Sequence, residues 1–399
     1  MSDVVTQVAQ ERQRNVAVDA YRGFVMLLMM GETLQLSTVA RSFPNSRIWQ
    51  FLAYNQSHVS WTGMSLHDTI QPGFSFLVGA ALPYSLKSRQ RKGESFRHML
   101  LHTIWRSFVL VALGIFLRST SRPMTYFTFE DVLTQIGLGY TFAFLIAFLR
   151  PRWQWISLGV ILFGYWLAFA LYPAPGADFP WATVGVSPAL LQHLPTGFAA
   201  HWSKNSNLGH AFDVWFLNLF PRTSPFVFNG GGYATLSFIP TIGTMLLGLF
   251  SGRWFQESAP KIPLRKFLVV APVLLAVGLL LHFTGICPIV KRIWTPSWTL
   301  FSGGVCFLFL AAFSWIVDIR MHRRIAFPLV VVGMNSIAAY WIADTCDGFV
   351  GNSFRIHLGE RVLNCFGAAV EPTVLGALIL ITDWLILYWM FRKKIFIRI

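Results

Sequence analysis

One histidine of this chain stands beside a carboxylate at a spacing that a short loop can close. His58 sits in Gln56-Ser-His58-Val-Ser-Trp61-Thr-Gly63, and Asp68 follows it by ten residues. An imidazole titrates near pH ~6.5, which suits general-base work or nucleophilic attack. A carboxylate on one ring nitrogen would hold the tautomer and leave the other nitrogen free to act. Asp68 and Glu32 are the acids placed to do this. Trp61, His67 and Gln71 flank the same stretch and are expected on the substrate side. The plainer readings are a solvated loop histidine at 58 and a structural neighbour at 67.

A second set of polar residues falls inside apolar runs, where an ionisable group is costly and usually faces a partner or a wet cavity. Asp19 and Arg22 lie three apart on one helix face. They read either as a local ion pair or as an arginine that helps bind an anion such as a phosphate. Arg106 lies too deep in its run for easy snorkelling. Gln135, Trp294, Asn335 and Ser336 are candidate linings of a cavity, or interhelical hydrogen bonders. Asp68, Gln71, Ser75 and Gly79 recur at three- or four-residue spacing, so they share a face that is either a cavity wall or a packing stripe. No P-loop, GxGxxG, HExxH or paired-cysteine motif is present, and no metal site is expected. Cys346 and Cys365 fall in one loop, as a bridged pair or as free thiols.

These groups need a scaffold, and composition indicates which kind. The chain has 399 residues, of which 54% are hydrophobic and only 12% charged, with a mean hydropathy of +0.53. Soluble domains run nearer a quarter charged. Ten stretches are apolar enough to cross a bilayer as helices: 16–39, 66–87, 99–118, 130–149, 154–172, 233–252, 266–285, 297–317, 327–346 and 373–391. The weakest is 66–87, which contains His67, Asp68 and Pro72. The fold class is therefore an all-α polytopic membrane protein of about ten transmembrane helices. It comprises a tail, 1–15, and one transmembrane domain, 16–399. The tail has no signal-peptide pattern, so the first apolar run is expected to insert and stay.

Charge orients the bundle. The net charge is +15, but the basic residues cluster between apolar runs and form no continuous stripe, which excludes a nucleic-acid partner. With both termini cytoplasmic, the inner segments hold 20 of the 32 Lys and Arg residues and the outer loops 10. The longer segments, 40–65, 173–232 and 347–372, then lie outside. The aromatic-rich 173–232 loop reads as a folded lid. His58 falls on the outer side and Arg22 on the inner side.

Six sequence blocks, in order, resemble the heparan-alpha-glucosaminide N-acetyltransferase family. They begin with Val18-Asp-Ala-Tyr-Arg22-Gly23 and with His58-Val-Ser-Trp61-Thr-Gly63 running on through His67-Asp68 and Pro72 to Gly79. They continue with Leu133-Thr-Gln135-Ile-Gly137, Thr235-Leu-Ser-Phe-Ile-Pro240, Lys291-Arg-Ile-Trp294-Thr295-Pro296 and Gly333-Met-Asn335-Ser336. The resemblance implies a bacterial, multi-pass acyltransferase of the cell inner membrane, embedded in the lipid bilayer. It implies acetyl-CoA as donor and an extracytoplasmic sugar or glycan as acceptor, His58 as the catalytic residue, and a homodimer. The sequence departs from the family at Gly31-Glu32-Thr33 and at Asn229-Gly-Gly-Gly-Tyr233, both on the acceptor side, so the acceptor stays open. The rival reading is a secondary transporter of a small anionic or sugar solute, which the same buried charges would serve. Transporters often carry paired inverted halves, and no such symmetry is visible.

Overall fold

The computed structural model describes residues 15–397. The expected tail, 1–15, lies outside the described residues except for Asn15, as do the basic residues Arg12, Arg14 and Arg398. Among the described residues the regular structure is helical throughout. In chain order the main helices are α1 (Val16–Met30), α2 (Leu36–Ser42), α3 (Arg47–Asn55), α4 (Ile70–Arg91), α5 (Phe96–Ser119), α6 (Val132–Ala147), α7 (Pro151–Leu171) and α8 (Leu208–Phe216). Then follow α9 (Phe238–Ser258), α10 (Leu264–Phe283), α11 (Pro296–Phe313), α12 (Arg323–Gly333), α13 (Ser336–Thr345), α14 (Asp347–Leu363) and α15 (Glu371–Arg392).

Six of these, α5, α7, α9, α10, α11 and α15, are long and apolar enough to cross a bilayer. Two bent pairs, α1 with α2, bent by 44°, and α12 with α13, bent by 65°, bring the number to eight if each pair forms one span. The two remaining expected spans, 66–87 and 130–149, fall on α4 and α6. Helix α6 is apolar but has only 16 residues. Helix α4 has 22 residues, but polar and basic side chains interrupt it. The reason is position. Of the most apolar stretch of α10, 17% is buried and of α5, 22%, against 83% for α9, which packs on α4. A helix inside the bundle meets protein, so it need not be uniformly apolar.

Without a hydrophobic drive between helices in lipid, close packing depends on small residues. A Cβ on Gly79 would lie 1.8 Å from the Met245 carbonyl oxygen, and one on Gly248 would lie 1.9 Å from that of Phe76. The stripe Gln71, Ser75 and Gly79 is thus buried against protein. Gly248→Leu is therefore expected to separate α4 from α9. Over-packing alone costs ~1–3 kcal/mol, and here the obstacle is backbone. Size-exclusion profile and melting temperature read the loss, with Gly159→Leu, which meets open space on α7, as the control. Equal melting temperatures for the two variants would refute this packing argument.

The break between α1 and α2 runs through a 3₁₀ turn, Gly31–Leu34, and a left-handed Gln35 (φ 49°). A break inside lipid would strand backbone groups. Gln56 satisfies them: its amide oxygen accepts from Leu36 N at 2.7 Å, and its amide nitrogen donates to Gly31 O. At the second break, Asn335 donates to Ile395 O at 3.0 Å and accepts from Ile397 N at 3.0 Å, which pins the C-terminal segment.

Residues 173–232 form short turns and α8, which pack on a core containing Trp61, Phe169, Trp202 and Ile293. Cys346 and Cys365 are free thiols.

Candidate active site

The loop that carries His58 is fixed from three directions. Gln56 ties its start to the α1 break. Trp61 is buried, and its indole N–H donates to Trp202 O at 3.0 Å. Gly63 takes a φ of +104°, which a side chain would resist, and its N–H donates to Ile289 O at 3.0 Å. That last bond joins the loop to residues 286–295, the turn that leads into α11. This turn is itself knotted. Thr295 Oγ1 donates to Pro288 O at 2.8 Å and accepts from Val290 N at 3.0 Å, and it caps α11 by accepting from Trp298 N.

Between the two loops lies the pair that the spacing implied. His58 Nδ1 is 2.8 Å from Asp68 Oδ1. The Asp68 carboxylate is 1% exposed, whereas the imidazole is 36% exposed. The other carboxylate oxygen accepts from Ser65 N and Ser65 Oγ, both at 3.0 Å, and from Val59 N at 3.3 Å. A carboxylate this fully hydrogen-bonded stays ionised and rigid. It can accept only if Nδ1 carries the proton, so Nε2 holds the free lone pair. Burial, the nearby Lys291 ammonium and His67 hold His58 below the ordinary histidine value of 6.5, against the pull of Asp68. The imidazole is therefore neutral, and so basic, at neutral pH.

Glu32, expected to share the orienting role, reaches a different ring. Its Oε1 meets His67 Nε2 at 3.0 Å, and the His67 and His58 ring centroids are 4.5 Å apart. Gln71 is buried at the head of α4. Around the imidazole stand Tyr233, its ring 6.3 Å away, and Arg292, whose guanidinium lies over Tyr233. Arg292 also donates to Gly231 O and to Val59 O, and Lys204 donates to Gly230 O at 2.7 Å. The run Gly230–Gly232 is thus a turn clamped by two cations.

Lys291 was not among the candidates, yet it is the group most tightly joined to the pair. Its Nζ lies 3.1 Å from both His58 Nδ1 and Asp68 Oδ1. Its distance in sequence hides it. One signal was available: Lys291-Arg292 is a basic pair in a segment assigned to the side where basic residues are scarce.

Toward the other end of α1, Arg22 and Arg106 do converge. Both line a cavity of about 370 Å³ with Phe74, Tyr140, Ser336 and Tyr340. Arg22 pairs with Asp19 at 3.1 Å. Arg106 lies over the Tyr140 ring, 4.8 Å from its centroid, and donates to Tyr140 Oη at 3.2 Å. Its buried Nε has no hydrogen-bond partner. Three other candidates lie elsewhere. Gln135 donates to Thr235 O, Trp294 donates to Thr244 Oγ1, and Asn335 pins the C-terminal segment. Their packing and hydrogen bonds stabilise the bundle and keep them off the cavity wall. Among the described residues, no three His, Cys, Asp or Glu side chains gather as a metal site would require.

The helical bundle thus holds an oriented, partly exposed histidine near the Gly31 end of α1 and an arginine-lined cavity further along that helix. The chain is 23% identical to the heparan-alpha-glucosaminide N-acetyltransferase of Homo sapiens and 22% identical to that of Mus musculus, each over 96% of its own length. It covers 59% and 60% of those proteins, so it spans about three-fifths of the relatives it matches. No protein-family model matches the chain. Over almost its whole length the chain is thus similar, at low identity, to heparan-alpha-glucosaminide N-acetyltransferases.

Proposed function

We propose that this chain is a transmembrane acetyltransferase that takes an acetyl group from cytoplasmic acetyl-CoA and delivers it to an amine or hydroxyl of a sugar on the opposite face. The observation that carries this is the His58–Asp68 pair, with one ring nitrogen held by a buried carboxylate and the other left free on an accessible edge. The relatives' name supplies the reaction class, and the charge bias of the loops supports the sidedness.

His58 Nε2 removes a proton from the acceptor nitrogen or oxygen as that atom attacks the thioester carbonyl. When the tetrahedral adduct collapses, the carbon–sulfur bond breaks and the imidazolium returns the proton to the departing sulfur. The products are an acetylated acceptor and the free thiol. Asp68 keeps the ring aimed and steadies the imidazolium. The donor, when bound, supplies the activated acyl group.

Arg22, Arg106 and Ser336 suit the donor's phosphate-bearing end. A cavity of this size with two guanidiniums, one of them with an unpartnered buried Nε, matches a phosphorylated ligand better than a neutral one. Acetyl-CoA at 100 times its dissociation constant is expected to stabilise the purified protein by ~2.7 kcal/mol, read as a rise in melting temperature. Arg106→Gln should weaken donor binding about 10- to 100-fold, as loss of a charged hydrogen bond would. The activity itself is tested with radiolabelled acetyl-CoA and glucosamine as acceptor probe. Neither acetylation nor thermal stabilisation by the donor would leave the transporter reading standing instead.

A further inference from the structure

The family resemblance gives Lys291 no role, and the mechanism above does not use it. It is 5% exposed, and its ammonium sits 3.1 Å from the same Asp68 oxygen that receives His58 Nδ1–H. The two nitrogens cannot both donate to each other, although they lie 3.1 Å apart. Both must therefore aim at Asp68 Oδ1.

This geometry has an electrostatic consequence. In a His–carboxylate pair with no third group, the carboxylate does two things at once: it orients the ring and it favours the ring's protonated form. Here a cation of equal charge sits against the carboxylate. We propose that Lys291 is a positioning residue that completes a charge-neutral pair with Asp68, so that the carboxylate orients the His58 ring while its charge is cancelled. The remaining charged and titratable groups facing the ring come from other elements. His67 is backed by Glu32, Tyr233 is backed by Arg292, and Lys204 lies on the glycine turn. None of these touches Asp68, so Lys291 alone balances it. Beyond the effect of burial, the Lys291 ammonium lowers the His58 pKa while the Asp68 carboxylate raises it.

The inference rests on His58 as the proton acceptor, and its test is made independent of acetyl transfer. Diethyl pyrocarbonate modifies a histidine ring only in its unprotonated form. Its rate at His58, followed across pH by mass spectrometry on the full chain in detergent, gives the ring's protonation midpoint with no acetyl-CoA present. Lys291→Met should raise that midpoint by about one unit or more, as an uncompensated charge at this range does. Lys291→Arg, which keeps the charge, should leave it within a few tenths. Asp68→Asn, which leaves the ammonium unopposed, should lower it by about one unit. The Arg and Asn variants carry the test if the Met variant does not fold. An unchanged midpoint in Lys291→Met, a rise in Lys291→Arg equal to that in Lys291→Met, or an unchanged or raised midpoint in Asp68→Asn would each overturn the proposal. Should the midpoints move as stated while no variant or wild-type chain transfers acetyl groups, the proposed activity fails and the role of Lys291 stands.

Discussion

His58→Ala is expected to lower the proposed acetyl transfer by ~10²–10⁴-fold, the usual contribution of a positioned general base, and to leave thermal stabilisation by acetyl-CoA in place. The two readouts separate because the imidazole lies beyond the Gly31 end of α1, whereas the arginine cavity lies further back along that helix. Arg22 lies ten residues before Glu32, ~15 Å along a helix at 1.5 Å per residue. Wild-type activity should also depend on pH in a defined sense. A base works only unprotonated, so transfer is full above the His58 midpoint and falls as pH drops through it. That midpoint lies below 6.5, so the acid limb sits below the range of an unperturbed histidine. A His58→Ala chain that retained more than a tenth of the wild-type rate would place the proton transfer on another residue. A burst of acetylated enzyme before turnover would instead make His58 an acyl carrier.

Asp68→Asn is the second large effect, and it acts on two quantities at once. An asparagine amide can meet His58 Nδ1 with its N–H₂ group and so select the wrong tautomer, a change worth up to ~10⁴ in turnover at such pairs. It also leaves Lys291, 5% exposed, without its counter-charge. Breaking a buried ion pair from one side costs ~3–5 kcal/mol, so the melting temperature should fall together with turnover. The donor's affinity should hold, because no arginine of the cavity touches Asp68. A loss of turnover at undiminished melting temperature would mean that the Lys291–Asp68 contact is not the buried pair described here. Unchanged turnover would remove Asp68 from the mechanism.

Much of the bundle could be read from hydropathy, for a physical reason. Helices such as α5 and α10 present most of their surface outward, so lipid dictates their composition and the apolar run is unmistakable. Helix α4 packs against protein along the face of Gln71 and Ser75, so lipid does not dictate its composition there. That is why 66–87 was the faintest of the expected spans. The two bends leave no trace in hydropathy at all. They depend on a left-handed Gln35 and on the break at Asn335, each repaired by hydrogen bonds to residues distant in sequence.

The site divides in the same way. His58 and Asp68 are ten residues apart, so a single turn unites them and spacing reveals them. Arg22, Arg106 and Ser336 meet at one cavity because their depths along separate helices coincide. Of the two acids that could orient His58, Asp68 reaches it, while a 3₁₀ turn after α1 aims Glu32 at His67. Trp294 and Asn335 are large or polar for local reasons, one anchoring the turn before α11 and the other pinning the C-terminus. Lys291 approaches from 223 positions away, and only the folding of the 286–295 turn brings it in.

The amide of Gln56 spans the gap in the first helix, and His58 follows it two positions later. The histidine loop is thus tied to the end of a helix that bears Arg22 near its middle. A ligand held at Arg22 would therefore rest on the same helix that anchors the histidine loop.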